Sequence, residues 1–188
     1  NRFIDLTSKL AKDDVMIAHG TCATVGISGY TMGGGWGPWT RMQGMGCERL
    51  VGARILLGNG KITEVNIGEN DEIPDLLWAL RGGGGMSYGI VTEFKFQTFE
   101  LPCELHRFDL EWNPYDKNDQ DIVKRDVSTF KVLEQWENVI KSSDTSGLTG
   151  TNLKINAIPS VDSAAINAKD VYHNCTMYGY WNGDRESL

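Results

Sequence analysis

The chain has no apolar run near the roughly 20 residues that a membrane helix needs, and its opening NRFIDLTSKLAKDD lacks the apolar stretch of a signal peptide. Basic runs are missing too. With 18 Lys+Arg against 25 Asp+Glu and a net charge of -7, no electrostatic footprint for nucleic acid or an anionic membrane surface is present. Four cysteines, Cys22, Cys47, Cys103 and Cys175, stand far apart without a CxxC pair, which argues against a structural zinc site and excludes a dense disulfide framework. A small molecule is the expected partner. The start without methionine leaves the compartment unread.

What the chain does have is glycine, unevenly spread. Eighteen of the 22 glycines lie between Gly20 and Gly89 and four follow Leu101, which predicts two regions of different construction, 1–100 and 101–188. A hydrophobic content of 40% over 188 residues is enough for a packed core. No internal repeat or low-complexity tract is present.

In the first region RFIDLTSKLA predicts a helix and VMIAHG a strand, and ARILLGNGKITEVN predicts a hairpin turning at Gly58-Asn59-Gly60, with Asn-Gly suited to a two-residue loop. In DEIPDLLWALRGG, Pro74 opens a helix whose apolar face is Leu76, Leu77 and Leu80, and Gly82 caps it. IVTEFKFQTF is a further strand. In the second region HRFDLEW alternates through Phe108, Leu110 and Trp112, and Val127, Phe130, Leu133, Trp136, Val139 and Ile140 fall at helical spacing. TNLKINAI and VYHNCTMYGYW complete a strand, a helix and two strands. The fold class is α+β, with an antiparallel sheet under helical cover in the second region. Asn174-Cys175-Thr176 has the form of a glycosylation acceptor, a triplet common by chance.

The segment HGTCATVGISGYTMGGGWGPWTR, residues 19–41, sets seven glycines around one thiol, and RGGGGMSYGIVT repeats the concentration downstream. Consecutive loop positions without side chains let backbone N–H groups approach a flat or anionic ligand. The common nucleotide loops do not fit. Gly33-Gly34-Gly35-Trp36-Gly37 runs into Pro38 and Trp39, so the dinucleotide fingerprint is incomplete, and Gly60-Lys61 is followed by Ile62 where a phosphate loop has Ser or Thr. Tight turns between short strands are the alternative reading of the glycines.

The order GTCxTVGxxGxxxGGGxG, Arg, a GxG hairpin, DLLWALRGGGG and YGIVTEFKF resembles the flavin-binding (PCMH-type) domain of the vanillyl-alcohol oxidase superfamily, in its branch of berberine-bridge-enzyme-like and oligosaccharide oxidases. The likeness covers residues 13–102. It implies FAD as cofactor, tied by a thioether to Cys22, whose thiolate the surrounding amides favour. It further implies cofactor contacts at Gly20, Thr21, Thr24, Val25, Gly29, Gly33, Gly34, Gly35 and Gly37, and at Gly89, Ile90 and Val91. Tyr30 stands where plant members carry histidine, and Gly20, two before the cysteine, fits oxygen access to the flavin.

By that resemblance the parent protein is an FAD-dependent oxidoreductase that takes a hydride from an alcohol or sugar-like substrate and passes electrons to oxygen. It also implies secretion. A non-catalytic flavin-scaffold paralogue and a dehydrogenase using another acceptor are the alternative functions. Neither the upstream pyrophosphate-cradling segment nor the C-terminal catalytic base of such enzymes stands in these 188 residues, so the chain reads as the second half of a flavin domain and the start of a substrate domain. An isolated piece of that kind is expected to be inactive. Trp112, Trp136, Tyr178, Tyr180 and Trp181 are read as core positions, with ring stacking on a substrate as the alternative, and His19 as a backbone-bonded structural residue. Arg41 is unassigned.

Overall fold

A computed structural model describes residues 1–102, 104–112, 129–142, 145–158 and 172–187. Contacts divide the chain into two compact units, Asn1–Glu104 and Leu105–Leu188. No described helix is long and apolar enough to cross a membrane.

The first unit opens with α1 (Phe3–Leu10), followed by the short β1 (Val15–Met16). The strand expected over 15–20 is cut to two residues because its partner β5 (Phe99–Glu100) is itself two residues long. Ile17 and Ala18 remain buried beyond the pairing. Two short helices follow, α2 (Ile27–Met32) and α3 (Thr40–Gln43). Next come β2 (Leu50–Leu56), β3 (Ile62–Asn66), α4 (Asp75–Leu80) and β4 (Ile90–Phe96), the strands forming an antiparallel sheet in the order β3-β2-β4.

The hairpin forms where Asn-Gly promised, but with a three-residue loop. Leu57 N donates to Lys61 O at 2.9 Å across Gly58-Asn59-Gly60, and Gly60 takes φ +80°, the left-handed closure of a type I turn with a bulge. Asn59 caps the turn through its side chain, accepting from Lys61 N at 3.0 Å.

Helix α4 is short because Pro74 precedes it and Gly82, at φ +101°, ends it. Its Leu77 and Leu80 are buried with Leu50, Ala53, Ile55 and Met32, so the helix lies on the sheet through the face that its leucine spacing predicts. A second cluster joins Phe3, Ile17 and Ile27.

The second unit is an antiparallel sheet of β6 (Leu105–Trp112), β7 (Leu148–Ile158) and β8 (Tyr172–Asn182), with β8 central. Helix α5 (Thr129–Lys141) covers one face. Its buried stripe is only partly the expected one. Val132 is the buried residue and Trp136 Nε1 donates to Thr151 Oγ1 at 3.3 Å, whereas Phe130 is 74% exposed. Trp136 and Ile140 of the expected row stay on the covered side with Val132, and tertiary packing leaves Phe130, Leu133 and Val139 exposed. Val127 lies outside the described residues.

The covered face of β8 carries Cys175, Met177 and Gly179, and Gly179 leaves room for the Phe108 ring, whose nearest atom would stand 2.4 Å from an added Cβ. Trp112 and Trp181 pair in register with this face or its continuation, opposite Cys175 and His106. In β7 a bulge inserts Thr149, fully buried, whose hydroxyl donates to Tyr180 O at 3.3 Å.

Candidate cofactor site

Cys22 stands in an exposed turn closed by Val25 N donating to Cys22 O at 3.3 Å. This turn is fastened to α1, because Phe3 N donates to Val25 O at 3.1 Å and Ile4 N to Ala23 O at 2.9 Å. The thiol is therefore presented on a fixed backbone. Its Sγ lies 3.3 Å from Thr24 Oγ1. Hydrogen bonding from the Thr24 hydroxyl, and then from the Thr24 and Val25 backbone, holds its pKa below the usual thiol value. Removing the hydroxyl should matter. Thr24→Val is expected to slow alkylation of Cys22 by iodoacetamide at pH 7–8 by about two- to fivefold, because the thiolate fraction falls; equal rates in the two proteins would contradict this contact.

The first glycine cluster is organised around Tyr30, which sequence reasoning treated only as a departure from histidine. Its ring meets Phe3 edge-on at 4.8 Å, and an added Cβ on Gly35 or Gly46 would fall 2.5 Å from it. Burial and the neighbouring Cys47 push the phenol up to about 12. Gly35 is thus explained by close packing within the chain. So is Gly37, whose added Cβ would lie 2.0 Å from His19 O. Gly34 and Gly35 take φ +104° and +77°, and their carbonyls accept from Cys47 N at 2.9 Å and Gly46 N at 2.7 Å. At the end of α2, an added Cβ on Gly33 would fall 2.9 Å from Gly29 O.

Three predicted positions behave differently. Gly29 is exposed with nothing within 4 Å of an added Cβ, and Thr21 and Thr24 are exposed beside Cys22. Gly20 is tighter, with the Tyr30 ring 3.3 Å from an added Cβ. Val25 is half-buried against the second core cluster.

The second glycine cluster meets the first. Gly84 N donates to Met32 O at 2.8 Å, and an added Cβ on Gly82 would stand 3.7 Å from Gly34 Cα. Arg81 anchors the junction, its Nε donating to Leu50 O at 3.0 Å and its Nη2 to Glu48 O. Gly89 enters β4 at φ +147° with an added Cβ 2.3 Å from Leu56 O, Ile90 is 58% exposed, and Val91 pairs with Ile55 against the core. Cys22 is tied to α1 and α2, while Gly89–Val91 are tied to β2.

A cleft of about 470 Å³ lies between α1, the start of α2 and the outer edge of β4, lined among others by Leu6, Ile27, Ser28 and Phe94. Of the predicted contacts only Val91 borders it. Cys22 does not.

His19 is bonded to the backbone, as its sequence reading as a structural residue expects. Trp39 Nε1 is a donor only and lies 3.1 Å from His19 Nε2, so that nitrogen accepts, and Nδ1 carries the proton toward Gly20 O at 2.7 Å. Burial lowers its pKa against a smaller opposing contribution from Gly20. Above about pH 6.5 both folded and unfolded chains hold it neutral; below that value the unfolded chain takes the proton first, so stability declines as pH falls toward the lower folded pKa. An NMR titration of His19 in the folded protein is expected to show a midpoint below about 6.5, and a midpoint above it would contradict the buried neutral form. Asn174 sits mid-strand in β8 with Nδ2 donating to Glu111 Oε1 at 3.3 Å, a poor setting for a glycan.

An exposed thiol of lowered pKa, flanked in sequence by exposed Thr21 and Thr24, fits an electrophilic ring cofactor. Residues 1–66 match the family described as FAD binding domain. Several relatives of the chain are named carbohydrate oxidases. The glucooligosaccharide oxidase of Sarocladium strictum is 38% identical over 122 residues, covering 64% of this chain and 22% of that protein. The chitooligosaccharide oxidase of Gibberella zeae is 38% identical over 102 residues, covering 54% of this chain and 20% of that one. Among solved structures, Physcomitrella patens BBE-like 1 matches all of this chain with a TM-score of 0.67 at 26% identity, over 34% of its own length. The chain therefore spans about a fifth of these curated oxidases and a third of that structure. Its mixed helix and antiparallel-sheet architecture is that of the BBE-like flavoenzymes.

Proposed function

We propose that this chain is part of a longer FAD-dependent oxidase of sugars or related alcohols, with the flavin held covalently through Cys22. In this reading the segment Asn1–Glu104 is the second half of the flavin domain and Leu105–Leu188 opens the substrate domain. The observation that carries it is the exposed, pKa-lowered thiol fixed in a Gly-Thr-Cys turn. The carbohydrate-oxidase relatives support a sugar as the substrate class. Thr21, Thr24 and Gly29 are the residues open to the ring system, and Gly20, Val25, Gly33, Gly34, Gly35, Gly37, Gly89, Ile90 and Val91 supply or shape the backbone around it.

When bound, FAD supplies the two-electron redox chemistry, and the protein supplies position and electrostatics. A thioether prevents cofactor loss between turnovers. The chain's own part is mechanical: Tyr30 and the close-packed glycines keep the loop at residues 33–37 from moving, and α1 keeps the Cys22 turn in place.

The test is anaerobic addition of a gluco- or chito-oligosaccharide to the purified parent protein. The flavin absorbance is expected to bleach, then to recover in air with one peroxide per substrate oxidised. Recovery only with an added acceptor makes the protein a dehydrogenase. A flavoprotein that no carbohydrate bleaches is a scaffold without this activity.

A further inference from the structure

His19 lies between the turn that presents Cys22 and the loop that carries the first glycines. On one side its ring stands 5.8 Å from Phe3, tilted by 47°. Phe3 N donates to Val25 O and Ile4 N to Ala23 O, so this contact backs the Cys22 turn. On the other side the imidazole meets Trp39 edge-on at 6.1 Å, and an added Cβ on Gly37 would fall 2.0 Å from the His19 carbonyl oxygen. Gly37 and Trp39 are held in one turn, because Gly37 N donates to Thr40 Oγ1 at 2.9 Å and Thr40 N to Gly37 O at 3.1 Å.

The side-chain link across this junction is Trp39 Nε1 donating to His19 Nε2 at 3.1 Å, and it holds for one protonation state of the ring. An indole N–H only donates, so Nε2 must offer a lone pair while Nδ1 carries the proton toward Gly20 O at 2.7 Å. A second proton, on Nε2, sets two donors against each other. The indole is held in place as this happens, since Trp39 is buried and packs against the Phe99 ring at 5.2 Å. Around His19 the Phe3 and Trp39 rings are uncharged, and Tyr30 of α2, edge-on to Phe3, keeps its proton up to about 12. Arg2, Asp5 and Lys9 at α1, Arg41 of α3 and Glu100 of β5 are exposed, and none contributes to the His19 shift, which comes from burial opposed by the Gly20 carbonyl.

We propose that His19 is a positioning residue for the Cys22 turn: as the neutral Nδ1–H tautomer it ties that turn, through Trp39, to the glycine loop at residues 33–37, and a proton on Nε2 releases both together. The neutral ring closes this lock and the imidazolium opens it. Both segments therefore loosen as pH falls below about 6.5, where an unperturbed histidine charges, toward the lower value of the folded protein. In the flavin reading of Cys22, on which this consequence rests, the attachment point is held rigid at neutral pH and relaxed in acid.

The test is hydrogen exchange on the parent protein as purified, read by mass spectrometry at single amides from about pH 7.5 down to about pH 5 and corrected for the intrinsic pH dependence. The amides to follow are those that fasten the two segments: Phe3, Ile4 and Val25 for the Cys22 turn, Gly37 and Thr40 for the glycine loop. In wild type both sets are expected to exchange about tenfold faster once His19 is charged, with one midpoint below about 6.5, while amides within β2 do not change. His19→Gln does not titrate, and its Oε1 can accept from the indole, so it is expected to keep slow exchange in both sets across the range. Trp39→Phe lacks the donor and is expected to exchange fast in both sets already at neutral pH. Exchange that stays slow in wild type through the His19 midpoint, a change in one set without the other, or a pH step that survives in His19→Gln each overturns the lock. Main-chain amides report whether or not Cys22 carries flavin, so a failure of the flavin reading leaves this result standing, and a failure of the lock leaves the flavin attachment standing.

Discussion

Gly37→Ala is expected to destabilise the first unit by about 3 kcal/mol or more, a large part of the stability of any small domain. The reason is a backbone collision that no rotamer relieves. An added Cβ falls 2.0 Å from His19 O, 2.8 Å from His19 C and 3.1 Å from Gly20 Cα, so the methyl must push apart the two strands of chain that present Cys22 and the glycine loop. The midpoint of thermal unfolding should drop by roughly 12 °C or more at 4–8 °C per kcal/mol for a unit of this size. Gly29→Ala is the contrasting substitution. It lies inside α2 with open space around it, and alanine there is expected to gain about 0.5–1 kcal/mol. If Gly29 borders the flavin, that same variant is stable yet binds FAD poorly. A Gly37→Ala protein as stable as wild type would show that the approach of residues 37 and 19 is wrong.

Cys22→Ser is expected to move essentially all of the flavin from acid-stable to acid-released while leaving the fold almost untouched. The side chain is fully exposed and the hydroxyl is nearly isosteric, so the apoprotein should unfold within about 0.5 kcal/mol of wild type. The Thr24 contact survives the change, since serine can also meet that hydroxyl. What is lost is the sulfur nucleophile. After trichloroacetic acid precipitation the variant's pellet should be colourless and its supernatant yellow. A yellow pellet from Cys22→Ser places the covalent bond elsewhere.

The elements were legible where local chemistry agreed with packing. Pro74, Leu77, Leu80 and Gly82 specify α4 from sequence, and Asn59-Gly60 marks the hairpin, because cap, spacing and turn residue all point one way. The loop length escaped because Gly60 alone took the positive φ that Asn-Gly was read as sharing. The α5 stripe escaped in part for a different reason: Phe130 and Leu133 are as hydrophobic as Val132, and only the sheet's position decides that Val132 is buried beside Trp136. In the candidate site, Cys22 is singled out in the sequence by its neighbours Gly20 and Thr21. The glycines could not be sorted, since a position emptied for Tyr30, as Gly35 is, and a position open to solvent, as Gly29 is, look identical in sequence. Tyr30 and Gly46 together were the missed signal, a bulky residue and a glycine that only the fold brings into contact.

The most direct test of the central claim is a tryptic map of the denatured parent protein after expression with ample FAD. Cleavage at Lys12 and Arg41 releases Cys22 within a single peptide, residues 13–41. That peptide is expected to be yellow and heavier by one flavin, with the added mass on Cys22 by fragmentation. Recovery of peptide 13–41 at its unmodified mass, with all flavin free in solution, would contradict the account.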